Sequence, residues 1–114
     1  MIDNPSFLQT GSIIFIPKVG DHGGFKCILP YDASDALFEY GVISLCRIRK
    51  NNTKEKRSWF VYLEDDEVVD CMMRLRLKEE QLRKCDYVYV LSDEKIIELA
   101  HAFTFAEHYR KYVL

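Results

Sequence analysis

A run of positive side chains in the middle of the chain is the feature best suited to bind or act on a charged ligand. Residues 47–57 hold six cations, Arg47, Arg49, Lys50, Lys54, Lys56 and Arg57, and a single anion, Glu55. An acidic run follows at residues 64–67. Cations at this density bind the phosphates of a nucleic acid or an acidic protein surface, although a solvated loop has the same composition.

Further cations and two aromatic residues extend this run. Arg74 and Arg76 alternate with apolar residues, which predicts a strand with one cationic face. Aromatic rings stack on unpaired bases while cations bind the phosphates between them. The expected binding residues for single-stranded RNA or a protein partner are Arg47, Arg49, Lys50, Arg57, Trp59, Tyr62, Arg74 and Arg76. We expect the four arginines on predicted strands to form one surface.

A histidine and an arginine of the sequence suggest a catalytic role. His22 lies in a glycine-rich segment, and an imidazole titrates near neutral pH. In RNA cleavage without a metal, a base takes the 2′-hydroxyl proton, a cation stabilises the phosphorane, and an acid protonates the leaving oxygen. His22 fits the base or acid, and Arg47 or Arg49 fits the cation. A single loop histidine is also common without any catalytic role.

The remaining histidines and the cysteines do not predict a cofactor or a metal site. His101 and His108 are seven residues apart on a predicted helix, where packing or an interface is favoured over metal binding. The four cysteines stand singly, which favours reduced, mostly buried side chains over a zinc site or a disulfide framework. They are Cys27, Cys46, Cys71 and Cys85.

Composition limits the class of protein. A chain of 114 residues with 48% hydrophobic content predicts one domain spanning residues 1–114. A net charge of -2 excludes coating of nucleic acid by bulk charge, so any contact needs a local patch. The sequence has no cationic leader and no apolar run of about 18 residues. We therefore expect a cytoplasmic protein without a membrane partner.

The elements that must position these side chains are short strands and a C-terminal helix. We predict strands at residues 12–16, 25–29, 42–48, 59–63, 73–77 and 87–91, a short helix at 78–84 and a final helix from 92. The strands at 42–48 and 59–63 are expected to pair as a hairpin, and residues 31–40 form either a loop or a short helix. The expected fold is α+β, a small curled antiparallel β-sheet or SH3-like barrel with a short helix and a C-terminal helix.

The final helix is predicted to have two adjacent apolar faces. Ser92 is the expected N-cap, followed by two acidic residues that suit the helix dipole. One face carries Ile96, Leu99, Ala100, Phe103, Ala106 and Val113, and the other carries Ile97, His101, Phe105, His108 and Tyr112. One small sheet covers only one of them, so we expect the second face to dock a partner, such as a second copy in a homodimer.

Several motifs, in order along the chain, resemble the MazF/PemK toxin family and its relative CcdB. They lie at residues 11–16, 75–84, 90–94 and 96–99. The resemblance implies a barrel-like fold, a homodimer and the activity of a toxin-antitoxin endoribonuclease. Members that cleave RNA carry an arginine, usually before a proline, at the start of the second strand and a threonine or serine at the end of the third. Here those places hold Phe25-Lys26 and Cys46-Arg47-Ile48-Arg49.

Two functions of different class therefore stay open. The first is a MazF-like RNA-interacting protein, either a metal-independent endoribonuclease with a substituted active site or a binder without cleavage. The second is a small non-catalytic inhibitor or immunity-type protein from a phage or mobile element. Its partner would be a protein, either an antitoxin or an inhibited target, recognised through the polarised charges.

Overall fold

The structure, a computed structural model, describes residues 1–18 and 24–113. Its strands are β1 (Ser12–Ile16), β2 (Phe25–Ile28), β3 (Val42–Lys50), β4 (Phe60–Tyr62), β5 (Glu67–Lys78) and β6 (Asp86–Val90). Its helices are α1 (Ala33–Tyr40), α2 (Glu79–Arg83) and α3 (Asp93–Tyr112), and a 3-10 turn at Pro5–Phe7 precedes β1. The six strands form one curled antiparallel half-barrel in the order β4-β5-β3-β2-β1-β6, which confirms the predicted α+β fold class.

The predicted pairing of the third and fourth strands is wrong. β5 lies between them and pairs with both β3 and β4. β5 has 12 residues, whereas the prediction began this strand at Met73 and so missed its first half. The first half of β5, which includes Val68 and Val69, pairs with β3 along one edge and with β4 along the other. These are the edges through which β3 and β4 were predicted to pair with each other.

The acidic run forms the tight turn between β4 and β5. Asp65 and Asp66 have φ values of 56° and 57°, the left-handed region that aspartate tolerates better than most residues. The Glu67 N–H donates to the carbonyl of Glu64 at 3.1 Å, and the Leu63 N–H donates to the carbonyl of Glu67 at 2.9 Å. Two consecutive left-handed residues match the right-handed twist of a hairpin, which explains why two aspartates occupy this turn.

Residues 33–40, which the sequence left open between loop and helix, form helix α1. The helix ends at Gly41, whose φ of 72° lets its N–H donate to the carbonyl of Leu37 at 3.0 Å. The Asp32 carboxylate before the helix accepts hydrogen bonds from the backbone N–H and the hydroxyl of Thr10. These bonds lower the pKa of Asp32 and tie the start of α1 to the loop before β1.

The two faces of the sheet bury separate apolar clusters. The face covered by α1 and α2, here called the α1 face, buries Ile14, Cys27, Ile43, Leu45 and Leu77. The face covered by α3, here called the α3 face, buries Ile13, Ile28, Cys46, Ile48, Val61, Val69 and Cys71. Neighbours along each strand therefore alternate between two cores, which explains why several strands read as continuously apolar.

Helix α3 begins as predicted. The Ser92 hydroxyl accepts a hydrogen bond from the Lys95 N–H at 3.4 Å, and Leu99 and Ala106 are buried against the sheet. Ala100 and Val113 of the first predicted face are exposed instead. The second predicted face is exposed along its length, with Ile97 59% and Tyr112 66% accessible. No helix of the described chain is both long and apolar enough to cross a membrane.

All four cysteines are buried and unpaired, which confirms the prediction for their packing. Burial, with a smaller contribution from the neighbouring Cys46, raises the pKa of the Cys27 thiol to about 12. A hydrogen bond with Cys46 and burial raise the pKa of the Cys71 thiol. Such thiols stay protonated near neutral pH and are poor nucleophiles.

Candidate nucleic-acid interface

Along strand β3, the α1 face changes from apolar to positively charged. Ile43 and Leu45 are buried under the helices, but the next two residues on the same face are Arg47 and Arg49. Across the sheet, Arg47 is paired in register with Cys27 of β2 and with Asp70 of β5. The apolar core thus ends in two arginines flanked by the neighbouring strands. We call this surface, made of Phe25, Arg47, Arg49, Phe60, Tyr62 and Asp70, the arginine-aromatic face.

Arg47 stacks on an aromatic ring from the next strand. Its guanidinium carbon lies 4.3 Å from the centroid of the Phe25 ring, within the range of a cation-π interaction. The Nε atom of Arg47 is buried and has no hydrogen-bond partner in the described part of the chain. The ring therefore orients the guanidinium without using its hydrogen-bond donors.

Arg49 is held by a buried carboxylate. Its Nε donates to Oδ2 of Asp70 at 3.1 Å, and its guanidinium lies 5.1 Å from the Phe60 ring. Asp70 is only 5% exposed, and its other oxygen accepts the Met72 N–H at 3.0 Å. Both oxygens are engaged, so Asp70 positions Arg49 and is a poor candidate for a general base.

Tyr62 provides the exposed ring of this face. It is 42% accessible, and its hydroxyl accepts the backbone N–H of Arg57 at 3.2 Å. The Phe60 ring behind it is buried, with the two centroids 6.2 Å apart. A base can therefore stack on Tyr62, while Phe60 serves as support.

Two of the other four cations of the basic run bind the acidic turn, and a third, Arg57, pairs with Glu55 at 3.9 Å. Lys50 Nζ donates to the carbonyl of Asp65 at 2.7 Å, and Lys54 pairs with the Asp66 carboxylate. This hydrogen bond from Lys54 lowers the pKa of Asp66. The two oppositely charged segments fold onto each other, so the charge polarity of the sequence is partly neutralised in the fold.

The expected single surface of four arginines is wrong. Arg74 and Arg76 lie on the α3 face, since Arg74 is opposite Cys46 and Arg76 is opposite Ser44 in the sheet register. Arg47 and Arg49 lie on the α1 face. Alternation shows which residues of one strand share a face. It does not show which residues of the next strand lie on the same side of the sheet, because that depends on the pairing register.

Arg74 is packed beneath helix α3 and is not an exposed cation. Its side chain is 13% accessible, its guanidinium lies 4.3 Å from the Phe103 ring, and Nη1 pairs with Glu107. Nε donates to the carbonyl of Cys71 at 2.8 Å. Nη2 is buried without a hydrogen-bond partner among residues 1–18 and 24–113.

Trp59 also lies on the α3 side. Its ring centroid is 5.3 Å from that of Tyr109 and 6.3 Å from that of Phe105, so it is half-buried against the helix. The expectation that Trp59 and Tyr62 serve one RNA surface is therefore wrong, because they lie on opposite faces of the sheet.

A groove opens between strand β5 and the C-terminal half of α3. Its volume is about 530 Å³. It is lined by Ser44, Arg74, Leu75, Arg76, Glu107, Arg110 and Lys111. We call it the helix-side groove. Arg110 and Lys111 were not among the predicted binding residues, because their spacing from Arg76 in sequence hides their proximity to it.

His22 lies outside the described residues. His101 and His108 are exposed on α3, with the His108 ring 4.7 Å from the Tyr112 ring. Within the ranges that the structure describes, no group of three metal-ligating side chains comes together. The arginines of the described surface can bind anions, and aromatic rings lie beside them.

The fold is similar to that of several solved structures. No family model and no curated protein matches the chain. A solved endoribonuclease in complex with its cognate antitoxin, from a mycobacterial species, has a TM-score of 0.68 at 10% identity, over 89% of this chain and 95% of that one. A MazE-MazF structure from Deinococcus radiodurans has a TM-score of 0.66 at 13% identity, over 87% and 93%.

A second mycobacterial endoribonuclease gives a TM-score of 0.66 at 8% identity, over 89% of this chain and 91% of that one. The fold is therefore MazF-like, which confirms the resemblance drawn from the sequence at the level of architecture. The similarity covers most of both chains.

Proposed function

We propose that this chain is a MazF-like RNA-interacting protein that binds single-stranded RNA on the arginine-aromatic face. The observation that carries the proposal is the stacking of Arg47 on Phe25 at 4.3 Å, beside Arg49 held by Asp70. Two oriented guanidinium groups bind successive phosphates, and the exposed Tyr62 ring accepts a base.

The position of this face supports the proposal. The family resemblance assigns the RNA site to the start of the second strand and the end of the third. In this chain Phe25 begins β2 and Arg47 lies in the second half of β3, and the two side chains are in contact. The positive charge that the family carries on the second strand is here supplied by the third.

The proposal extends from RNA binding to RNA cleavage. A metal-independent endoribonuclease with a substituted active site would use Arg47 to stabilise the phosphorane and His22 as base or acid. His22 supports this by its residue type alone. Binding without cleavage needs only the arginine-aromatic face.

The test of binding is fluorescence anisotropy with a labelled short single-stranded RNA. We expect Arg47→Ala and Arg49→Ala each to weaken affinity about tenfold, equivalent to about 1.4 kcal/mol, and to reduce the salt dependence. Lys84→Ala is the matched control, since it removes an exposed cation beside α2 at the far end of the α1 face. Equal affinity for all variants would refute this site.

Cleavage is tested separately with the same RNA on a denaturing gel without divalent metal. Activity that is lost in His22→Ala, while RNA affinity is kept, supports the endoribonuclease. If the wild-type protein binds RNA normally but yields no cleavage product, it is an RNA-binding protein without endoribonuclease activity. Arg47→Lys refines the result, because lysine keeps the charge but not the planar fork that grips a phosphate with two bonds.

A protein partner is the second candidate, and the exposed face of α3 favours it. Ile97, Phe105 and Tyr112 are 59%, 42% and 66% accessible and lie in one stripe. Two of the similar solved structures are described as a complex with an antitoxin and as MazE-MazF. An antitoxin or an inhibited target would bind with defined stoichiometry, and binding would tolerate replacement of Arg47.

A homodimer is the simplest occupant of the same stripe, and we include it in the proposal. Light scattering at high micromolar concentration should give twice the mass of the chain. Ile97→Asp should convert that species to a monomer without unfolding it, because this residue is exposed in the single chain. A wild-type monomer under these conditions would contradict the dimer.

A further inference from the structure

The helix-side groove concentrates positive charge from two separate elements. Arg74 and Arg76 come from β5, whereas Arg110 and Lys111 come from the last turns of α3. Glu107 is the carboxylate among the lining residues, and it pairs with Arg74. Four cations therefore face one anion in a groove of about 530 Å³.

Most of this charge is not neutralised within the described chain. The ion pairs of residues 1–18 and 24–113 include Arg74 but not Arg76, Arg110 or Lys111. Like charges held together in a groove repel one another, so an anion that enters gains attraction from all of them. The charge arrangement thus favours a ligand with more than one negative charge.

A second, independent observation concerns Arg74. Its Nη2 atom is buried and without a hydrogen-bond partner in the part of the chain that the structure describes. The other two nitrogens are used by Glu107 and by the Cys71 carbonyl. Buried donors are normally satisfied, so Arg74, which lines the groove, keeps one guanidinium donor that the described residues do not use.

We infer that the helix-side groove binds phosphate groups, carried either by a nucleotide or by an RNA strand. Three of its four cations are arginines, whose planar fork matches the oxygens of a phosphate better than a lysine does. The Ser44 side chain in the same lining offers a hydroxyl donor. The groove lies on the α3 face, so this site is separate from the arginine-aromatic face.

The experiment is a thermal-shift and calorimetric titration with pyrophosphate and with ADP, on the full chain. Both ligands should raise the Tm of wild type. The double variant Arg76→Ala/Arg110→Ala should lose the shift and bind at least about tenfold more weakly. Both arginines are exposed, so the variant should keep the fold, which circular dichroism checks.

Two further variants sharpen the result. Glu107→Gln should bind pyrophosphate more tightly, because it removes the carboxylate that repels the ligand and keeps an oxygen for Arg74. Lys84→Ala should bind pyrophosphate as wild type does, because this exposed cation lies beside α2 and away from the groove. A loss of pyrophosphate binding in Lys84→Ala, with none in the double variant, would overturn the inference.

A second titration, with short single-stranded RNA, shows whether the phosphate belongs to an RNA strand or to a free nucleotide. If the ligand is an RNA phosphate, the double variant reduces RNA affinity and its salt dependence in addition to any loss at Arg47. If the ligand is a free nucleotide, RNA affinity is unchanged and ADP binding is lost. If neither ligand distinguishes the double variant from wild type, the groove is not a phosphate site, whatever happens at the arginine-aromatic face.

Discussion

Arg47 and Arg74 stack on phenylalanine rings at the same distance, 4.3 Å, on opposite faces of one sheet. Each also has one buried nitrogen without a hydrogen-bond partner among the described residues. They differ in what else holds them. Arg74 is fixed by Glu107 and by the Cys71 carbonyl, whereas Arg47 is oriented by its ring.

This difference separates a structural arginine from one available to a ligand. Hydrogen bonds to Glu107 and to the Cys71 carbonyl use two of the three guanidinium nitrogens of Arg74, and they make its side chain part of the packing. A ring orients the guanidinium and leaves its donors unused. The arginine-aromatic face therefore presents its charge directly, while the helix-side groove depends on the exposed Arg76 and Arg110 for most of its binding.

The largest expected effect is on stability. Arg74→Ala should lower the free energy of unfolding by about 2 kcal/mol, because it removes the contact with Phe103 and leaves the Cys71 carbonyl without its donor. Arg47→Ala should cost less than about 1 kcal/mol, since it breaks one stacking contact. Urea unfolding of both variants measures the difference, and equal losses would remove the distinction between the two arginines.

A smaller effect is expected at alkaline pH, beneath the arginine-aromatic face. Burial raises the pKa of Cys27 from 9.0 to about 12 in the folded chain. The unfolded thiol therefore ionises first as pH rises above about 9, which favours unfolding, and below that pH nothing is lost. Between pH 8 and pH 10, the contribution of Cys27 alone should lower the stability of the wild type by about 1.4 kcal/mol.

The matched variant is Cys27→Ala, compared by urea unfolding at pH 8 and pH 10 under reducing conditions. Its stability should fall less than that of the wild type over this interval, because the alanine does not titrate. An identical fall in both proteins would mean that water reaches the thiol under Arg47. Cys71, beneath the other face, also has a raised pKa and continues to contribute in both proteins.

The local pattern of the sequence predicted the elements well. Alternation of Arg74, Leu75, Arg76 and Leu77 predicted a strand, and Ser92 predicted the start of α3, because both signals lie within a few neighbouring residues. The fold class followed from the order of those elements and from the family resemblance. None of these signals says which strand lies beside which.

The candidate sites depend on that missing information. Arg47 and Arg74 fall on opposite faces because β5 pairs with β3, with a register shift between Cys46 and Arg47 that no periodicity reveals. Asp70 carried a usable signal, since a carboxylate inside the apolar run of residues 68–73 predicts a buried charged pair. Its partner Arg49 is 21 residues away, and only the register identifies it.

The smallest expected effect compares the ion pairs of the two regions. Arg49 and Asp70 have side chains 28% and 7% accessible, whereas Glu107, the partner of Arg74, is 54% accessible. Water and salt screen a pair with one exposed member, so its coupling energy should be below about 0.5 kcal/mol. The shielded pair of Arg49 and Asp70 should reach about 1 kcal/mol.

Double-mutant cycles with alanine at each pair, measured by urea unfolding at low and high salt, give both coupling energies. We expect the Arg49 and Asp70 value to change little with salt and the Arg74 and Glu107 value to approach zero. Arg74 would then stabilise the fold through Phe103 and the Cys71 carbonyl rather than through its charge. A larger coupling for Arg74 and Glu107 would contradict this, because it would make the ion pair itself the main support of the helix-side groove.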